Sequence, residues 1–425
     1  MSPRRLPIAP QAAPSQVHLP LARETRARDA VRPSYAVWEL TLACDLACRH
    51  CGSRAGRARP DELSPAEALE LVDSLAALGV RECTVIGGEA YLREDWLEIV
   101  RALVGHGIRT TMTTGGQGIT AALARAMKAA GLDSVSVSID GLEPTHDYLR
   151  AVAGSHAKAL AALDHLRAVG IPISVNTQIC APTVRELEPL LELLAPRELF
   201  AWQVQLTVAM GRAADEPALL LQPYQMIEVM PMIHRIWAAG RTRGIRLWPG
   251  ANIGYFGPYE HELRADSPDG HRSGCGAGRH SIGIEANGDI KGCPSLPTSV
   301  YVGGNVRQHS LLDIWERSEA LRFGRDRTPA ELWGHCATCY YKDTCMAGCT
   351  WTGHTLLGKR GNNPYCHHRA LELLAAGRRE RIELEQAAPG EPFDFGRYRL
   401  IEEDWPADSL ERARTISETH EGWLS

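Results

Sequence analysis

The chain has 425 residues, 44% of them hydrophobic and 23% charged, with a formal net charge of −5. That length allows a large core and more than one domain, and the balance is that of an ordinary globular protein without the basic excess of a nucleic-acid binder. No apolar run reaches the roughly 20 residues that span a bilayer and no apolar signal core is present, so we expect a cytoplasmic protein whose twelve cysteines serve metal binding rather than disulfides.

Residues 1–33 carry Arg4, Arg5, Arg23, Arg26, Arg28 and Arg32 against Glu24 and Asp29, among six prolines. They read as a flexible basic arm, either a solvated tail or a docking arm for an acidic peptide or a partner. From 34 to 250 strands alternate with helices. The expected strands are 36–42, 82–86, 108–113, 134–139, 171–177 and 201–208. The expected helices are 65–78, 94–104, 119–130, 157–169, 184–194 and 224–240. Such alternation implies βαβ units and a parallel sheet. The expected fold is therefore α/β, an open, partial (β/α)6 barrel with its active site at the C-terminal ends of the strands. Residues 251–274 read as a linker, and 275–370 as a small cysteine-rich domain. Residues 371–425 read as a helix (within 368–386) followed by an acidic, helical or irregular tail.

The first strand runs into Cys44-Asp-Leu-Ala-Cys48-Arg-His-Cys51. Iron–sulfur clusters are held by cysteine thiolates, usually four, and three on one loop leave one iron of a cube open. The second strand ends in Gly87-Gly88-Glu89. Glycines admit close backbone approach, and a carboxylate there accepts bonds from an ammonium group. The fourth strand, Ser134 to Asp140, places Ser138 and Asp140 on one face. Arg150 follows in a helix, and Asn176 and Gln178 end the fifth strand. Each of these polar groups, taken singly, is equally well a capping or surface residue. Gln203, Gln205 and the Met210-Gly211-Arg212 turn lie at the sixth strand.

The other cysteine set is Cys275, Cys293, Cys336-x2-Cys339-x5-Cys345-x3-Cys349 and Cys366. Taken alone, four of these thiolates would also suit a tetrahedral zinc site.

Together the two sets resemble the radical S-adenosylmethionine (SAM) enzymes that carry a SPASM extension, the peptide-maturase type, over roughly 34–370. The resemblance implies a 4Fe–4S cluster on Cys44, Cys48 and Cys51, whose open iron binds SAM and whose electron splits it to a 5′-deoxyadenosyl radical. It implies SAM contacts from Gly87, Gly88, Glu89, Ser138, Asp140, Arg150 and Asn176, with Glu89 at the amino group and Arg150 at the carboxylate. Ala90 stands where the family usually has Pro. Two auxiliary 4Fe–4S clusters are implied, one on Cys275, Cys293 and Cys349, the other on Cys336, Cys339, Cys345 and Cys366. Fully ligated members have one more cysteine just before Cys275. Here 269–274 read Asp-Gly-His-Arg-Ser-Gly, leaving either an open iron or a ligand such as Asp269 or His271.

The resemblance implies a maturase that abstracts hydrogen from a ribosomally made precursor peptide, leading to a C–C or C–S cross-link, dehydrogenation or epimerisation. A reductant such as ferredoxin or flavodoxin is implied, and leader binding by a separate protein or by the two tails. A haem or cofactor precursor, or a sulfatase-type protein substrate, keeps the chemistry and changes the target. A non-catalytic iron–sulfur electron-transfer protein is the reading from another class. Cys180 lies at the active-site end, either as a hydrogen donor to a substrate radical or as packing. Cys83 reads as a buried hydrophobe, His50 as packing near the adenine, and His367 and His368 as surface residues.

Overall fold

A computed structural model of the chain describes residues 31–267 and 269–424. The expected basic arm therefore lies outside the described residues, apart from 31–33. Seven parallel strands follow in chain order: β1 (Tyr35–Glu39), β2 (Glu82–Ile86), β3 (Arg109–Thr114), β4 (Ser134–Ser138), β5 (Ile173–Ile179), β6 (Ala201–Leu206) and β7 (Arg246–Pro249). The last of these was not expected. Between them run helices α1 (Pro65–Leu78), α2 (Trp96–Gly105), α3 (Ala121–Ala129), α4 (Glu143–Arg150), α5 (Ser155–Ala168), α6 (Leu187–Leu194), α7 (Arg212–Asp215) and α8 (Met226–Thr242).

The sheet does not close on itself. The free edge of β1 is taken instead by β8 (Ser281–Ile284), parallel, with Tyr35 beside Ser281 and Trp38 beside Ile284. Strands β9 (Asp289–Lys291) and β10 (Gly304–Asn305) extend it antiparallel, so ten strands make one sheet.

Local sequence explains these elements. Helix α1 opens on a capping box between Ser64 and Glu67, starts with Pro65, and stops at the left-handed Gly79. Its Ala68, Leu71, Val72, Leu75 and Leu78 form the buried stripe of a 3.6-residue repeat. In β4 to β6 every second residue is apolar and packs under the helices: Val135 and Val137, Ile173 and Val175, Trp202 and Val204. Cys83 belongs to this same helix-facing core. The alternate residues, Ser136 and Ser138, Ser174, Asn176 and Gln178, Gln203 and Gln205, face the barrel lumen. No helix among the described residues is long and apolar enough to cross a membrane.

The C-terminal region departs from expectation. The helix read within 368–386 spans only His367–Ala375 and ends near the left-handed Gly377. Beyond it Arg378–Gln386 is strand β11, paired antiparallel with β12 (Arg397–Asp404), and a helix Ala407–Thr419 follows. Alternating charges favour the hairpin, because they meet opposite charges on the partner strand: Arg378 with Glu402 at 3.0 Å, Arg381 with Glu403 at 2.8 Å and Arg399 with Glu383 at 3.0 Å. His367 and His368, expected at the surface, are both buried.

Candidate active site and cysteine centres

The loop after β1 carries Cys44, Cys48 and Cys51, and it is fastened from several sides. Glu62 accepts hydrogen bonds from the Leu42 and Arg59 amides at 2.8 and 2.9 Å. Arg212 donates to the Cys48 carbonyl at 2.7 Å and to the Ala55 carbonyl at 3.1 Å, while its own amide donates to the Cys51 carbonyl. Gly87 and Gly88 pack on the backbone of this loop. A Cβ at Gly88 would lie 2.1 Å from the Ala43 carbonyl oxygen and 2.7 Å from Cys44 Cβ, so only glycine fits. Gly211 meets the other side of the loop with φ +57, and a Cβ there would strike the Cys51 and Gly52 carbonyls.

Glu89 is buried behind the loop. Its carboxylate accepts from Thr114 Oγ1 at 2.6 Å and from the Gly115 amide at 2.5 Å, and burial pushes its pKa up to about 7. Asp140, also buried, accepts from the Gln178 amide at 3.0 Å through Oδ1. Its Oδ2 lies 2.7 Å from Arg150 Nη2 and 3.5 Å from His50 Nε2. Burial alone would raise the Asp140 carboxyl, but the Arg150 guanidinium holds it below the usual carboxylate range. His50 is pushed down to about 4 by burial, so the ring is neutral at pH 7. Arg150 also donates to Cys48 Sγ at 3.6 Å. The guanidinium expected at a SAM carboxylate thus ties Asp140 to a triplet thiol.

Ser138, Asn176 and Gln203 stand side by side across β4, β5 and β6, with Gln178 beside Gln205 one step further along. None of the four carboxamide side chains forms a hydrogen bond among the described residues, and the Ser136 hydroxyl is buried without a partner. Cys180 follows the C-terminal end of β5. Its thiol is wholly buried, sits 3.5 Å from Thr183 Oγ1 and packs on Leu149 and Leu219. Burial pushes it up to about 11. In this structure the thiol is enclosed, which suits a packing role.

The remaining cysteines fall into two neighbourhoods. Cys275, Cys293 and Cys349 lie close enough to act on one another's ionisation, as do Cys336, Cys339, Cys345 and Cys366. Trp351 packs against both groups and donates its indole N–H to Met210 Sδ at 2.9 Å, which links them to the turn beside Gly52. His271 is buried with its ring 5.6 Å from Phe256, whose ring stacks on Tyr341 beside the second group. Among the described residues no three His, Cys, Asp or Glu side chains converge as a single metal ion requires. The donor chemistry fits clusters. Burial pushes Cys44 and Cys293 up to about 12 and raises Cys48, Cys345 and Cys366. Such thiols ionise when an iron centre supplies the opposing charge.

Arg54, Asp215 and Asp394, which brace the triplet loop, were not singled out in the sequence. Arg54 follows Cys51 by three residues, but its carboxylate partners lie far along the chain.

An open α/β barrel with a three-thiol loop after its first strand, joined to a cysteine-rich domain, defines a radical SAM/SPASM enzyme. Residues 38–194 match the radical SAM superfamily and 275–340 the SPASM iron–sulfur cluster-binding domain, and the chain belongs to that superfamily. It therefore binds SAM and 4Fe–4S clusters. It is 29% identical over 349 residues to the AdoMet-dependent heme synthase of Methanosarcina barkeri (strain Fusaro / DSM 804), covering 79% of this chain and 97% of that one. It is 29% identical over 321 residues to the mycofactocin maturase MftC of Mycobacterium tuberculosis (strain ATCC 25618 / H37Rv), covering 75% and 78%. Its fold is similar to that of Streptococcus suis SuiB bound to S-adenosylmethionine (TM-score 0.61, 18% identity, 76% of this chain and 74% of that one). It is also similar to anSMEcpe with bound AdoMet (0.64, 14%, 80% and 95%).

Proposed function

We propose that this enzyme modifies a peptide, with Cys44, Cys48 and Cys51 holding the SAM-binding cluster and the other two cysteine groups holding two auxiliary clusters. When bound, the triplet cluster and SAM supply a 5′-deoxyadenosyl radical that abstracts a substrate hydrogen. The chain's own part is positioning. Gly87 and Gly88 let the second strand close on the cysteine loop, Arg212 fixes that loop's carbonyls, and Arg150 with Asp140 orients Cys48. Ser138 and Asn176 are offered to SAM or substrate at the lumen wall.

The observation that carries the peptide reading is the wall itself. Its middle carries neutral hydroxyls and carboxamides, Thr111, Thr113, Ser136, Ser174, Asn176 and Gln203, with Arg81, Glu82 and Arg109 at the N-terminal rim and Arg272 beside the end of β7. Such groups donate to and accept from peptide amides. The arginines nearest the triplet are already engaged: Arg49 with Glu216, Arg54 with Asp215 and Asp394, Arg150 with Asp140. A tetrapyrrole bearing several carboxylates would want several open cations there. A relative named a maturase supports the same reading. The tetrapyrrole alternative rests on the heme synthase relative, which the alignment covers almost entirely.

The test is anaerobic co-expression with short peptides encoded beside the gene, followed by mass spectrometry. A loss of about two mass units, the two hydrogens removed by a cross-link or dehydrogenation, is expected, and Cys48→Ala should abolish it. Unchanged peptide mass, in ordinary and in deuterated water, with intact clusters and turnover of a porphyrin instead, would overturn the peptide reading.

A further inference from the structure

The lumen also carries charge. Arg272 lines the same cavity of about 820 Å³, beside Gly250 and Ala251 where β7 ends. The other lining cations are Arg81 and Arg109, which lie exposed at the N-terminal rim, where Arg109 is paired with Glu82 and Asp133. Among the described residues no carboxylate pairs with the Arg272 guanidinium, and its Nε is buried without a hydrogen-bond partner. Arg272 as a whole is half-buried, and an enclosed guanidinium nitrogen without a partner is costly unless something completes it.

The surroundings leave the Arg272 side chain unpaired. The neighbouring carboxylate is Glu260, buried, and it is spent on backbone: Oε1 accepts from the Arg272 amide at 2.8 Å and Oε2 from the Phe256 amide at 3.1 Å. It therefore fixes the main chain at 272 and leaves the side chain free. Arg264, which is buried, is consumed by the carbonyls of Pro249, Gly250 and Ile253, which stiffens the turn that Arg272 lies against. Arg272 also lies near enough to Tyr255 and Cys349 to act on their ionisation. It thus sits between the lumen and the first auxiliary cysteine group.

We propose that Arg272 is a carboxylate-binding subsite, so that the substrate presents one carboxylate into the lumen on the side of Cys275, Cys293 and Cys349. This rests on the peptide reading for the identity of the substrate but not for the subsite itself. A planar guanidinium takes a carboxylate through two parallel hydrogen bonds, and one such group anchors an acidic side chain or a chain terminus.

The test is arginine footprinting of the full-length holoenzyme with phenylglyoxal under anaerobic conditions, read by peptide mapping. Arg81 serves as the reactive control and Arg150 as the protected one. The probes are N-acetyl-Ala-Ala-Glu amide, its Gln counterpart, N-acetyl-Ala-Ala-Ala as the free acid, and a tetracarboxylate porphyrin. Arg272 should react in the free enzyme and be protected several-fold by the Glu peptide or the free acid, with the Gln peptide ineffective. Which of the two acids protects tells side chain from terminus. Protection by the porphyrin alone would keep the carboxylate subsite and overturn the peptide reading. Equal effects of the Glu and Gln peptides, protection by no probe, or an Arg272 inert while Arg81 reacts would overturn the subsite and leave the peptide reading to its own test.

Discussion

Glu39, the last residue of β1, shares a buried pocket with Arg59, Glu285 and Lys291. Lys291 Nζ is 2.7 Å from Glu285 Oε1, and Arg59 Nη2 is 2.9 Å from Glu285 Oε2 but 3.9 Å from Glu39. Both cations therefore serve Glu285. Burial would raise the Glu285 carboxyl, but Lys291, Thr298 and Arg59 hold it below its ordinary value. Glu39 is left with burial and the repulsion of Glu285, which push it up to about 8. At neutral pH it carries a proton in the folded protein and none in the unfolded chain. A raised folded pKa means that this site's stability is complete below the unfolded value, about 4.3, and is lost as pH rises towards the folded value. Glu39→Gln cannot ionise and escapes that loss. Its stability relative to wild type should therefore improve by about 2–4 kcal/mol between pH 5 and pH 9, read from anaerobic urea midpoints. A difference that does not change with pH would show that Glu39 is ionised throughout.

Elements far apart in the chain meet at the triplet loop. The tip of the β11–β12 hairpin reaches across to it: the Phe393 amide donates to the Gly52 carbonyl at 3.2 Å, and the Gly211 amide to the Asp394 carbonyl at 2.9 Å. Asp394 Oδ1 accepts from Arg54 Nε at 2.8 Å, while Oδ2 takes the Glu391 amide at 2.9 Å. The Phe393 ring covers Lys291 Nζ at 3.8 Å. The hairpin is thus a brace for the residues just after Cys51. Asp394→Ala removes one partner of a mostly buried ion pair, which costs about 2–4 kcal/mol, and frees the loop. Iron analysis and electron paramagnetic resonance should show the SAM-responsive cluster lost first, with the auxiliary signals retained. Loss of all signals together, or of none, would contradict a local brace.

This brace was not legible in the sequence, since Arg54 and Asp394 are 340 positions apart. What was legible is local. Alternation of small polar and apolar residues in Ser134–Ser138 reports a strand between lumen and helices, and cysteine spacing reports a loop. The stretch after Gly377 was misread because its charges suit a helix face as well as a ladder, and only the partner strand decides. Cys180 looked available because nothing in its neighbourhood announces that Leu149, Thr183 and Leu219 close over the thiol. Arg272 is not legible in its segment, because an unpaired guanidinium is recognisable only once the carboxylates around it are placed.

At the scale of the molecule, the barrel and the cysteine-rich region are not beads on a linker. Strand β8 continues the sheet of β1 residue for residue, and the Leu63 amide donates to the Ala286 carbonyl at 2.8 Å. Ile282, Ile284, Ile290, Ile314 and Trp315 belong to the same apolar core as Trp38, Leu71 and Leu75. At the other edge Arg185 holds the Leu424 carbonyl at 3.0 Å and lies over the Trp423 ring, which ties the end of the described chain to the barrel. Removing β8 would expose the apolar flank of β1 and leave an open strand edge, and the region that carries Cys275 and Cys293 would keep only a small cluster of its own, Cys275, Ala277, Leu296, Tyr301 and Phe323. Native-state hydrogen exchange should then report one cooperative unit. The sheet amides of β1 and β8 are expected to open with the same free energy, within about 1 kcal/mol, and to fall together when urea is added. A β8 that exchanges through a much smaller opening while β1 stays protected would mean that the cysteine-rich region unfolds by itself, and that the shared sheet is a contact rather than a common core.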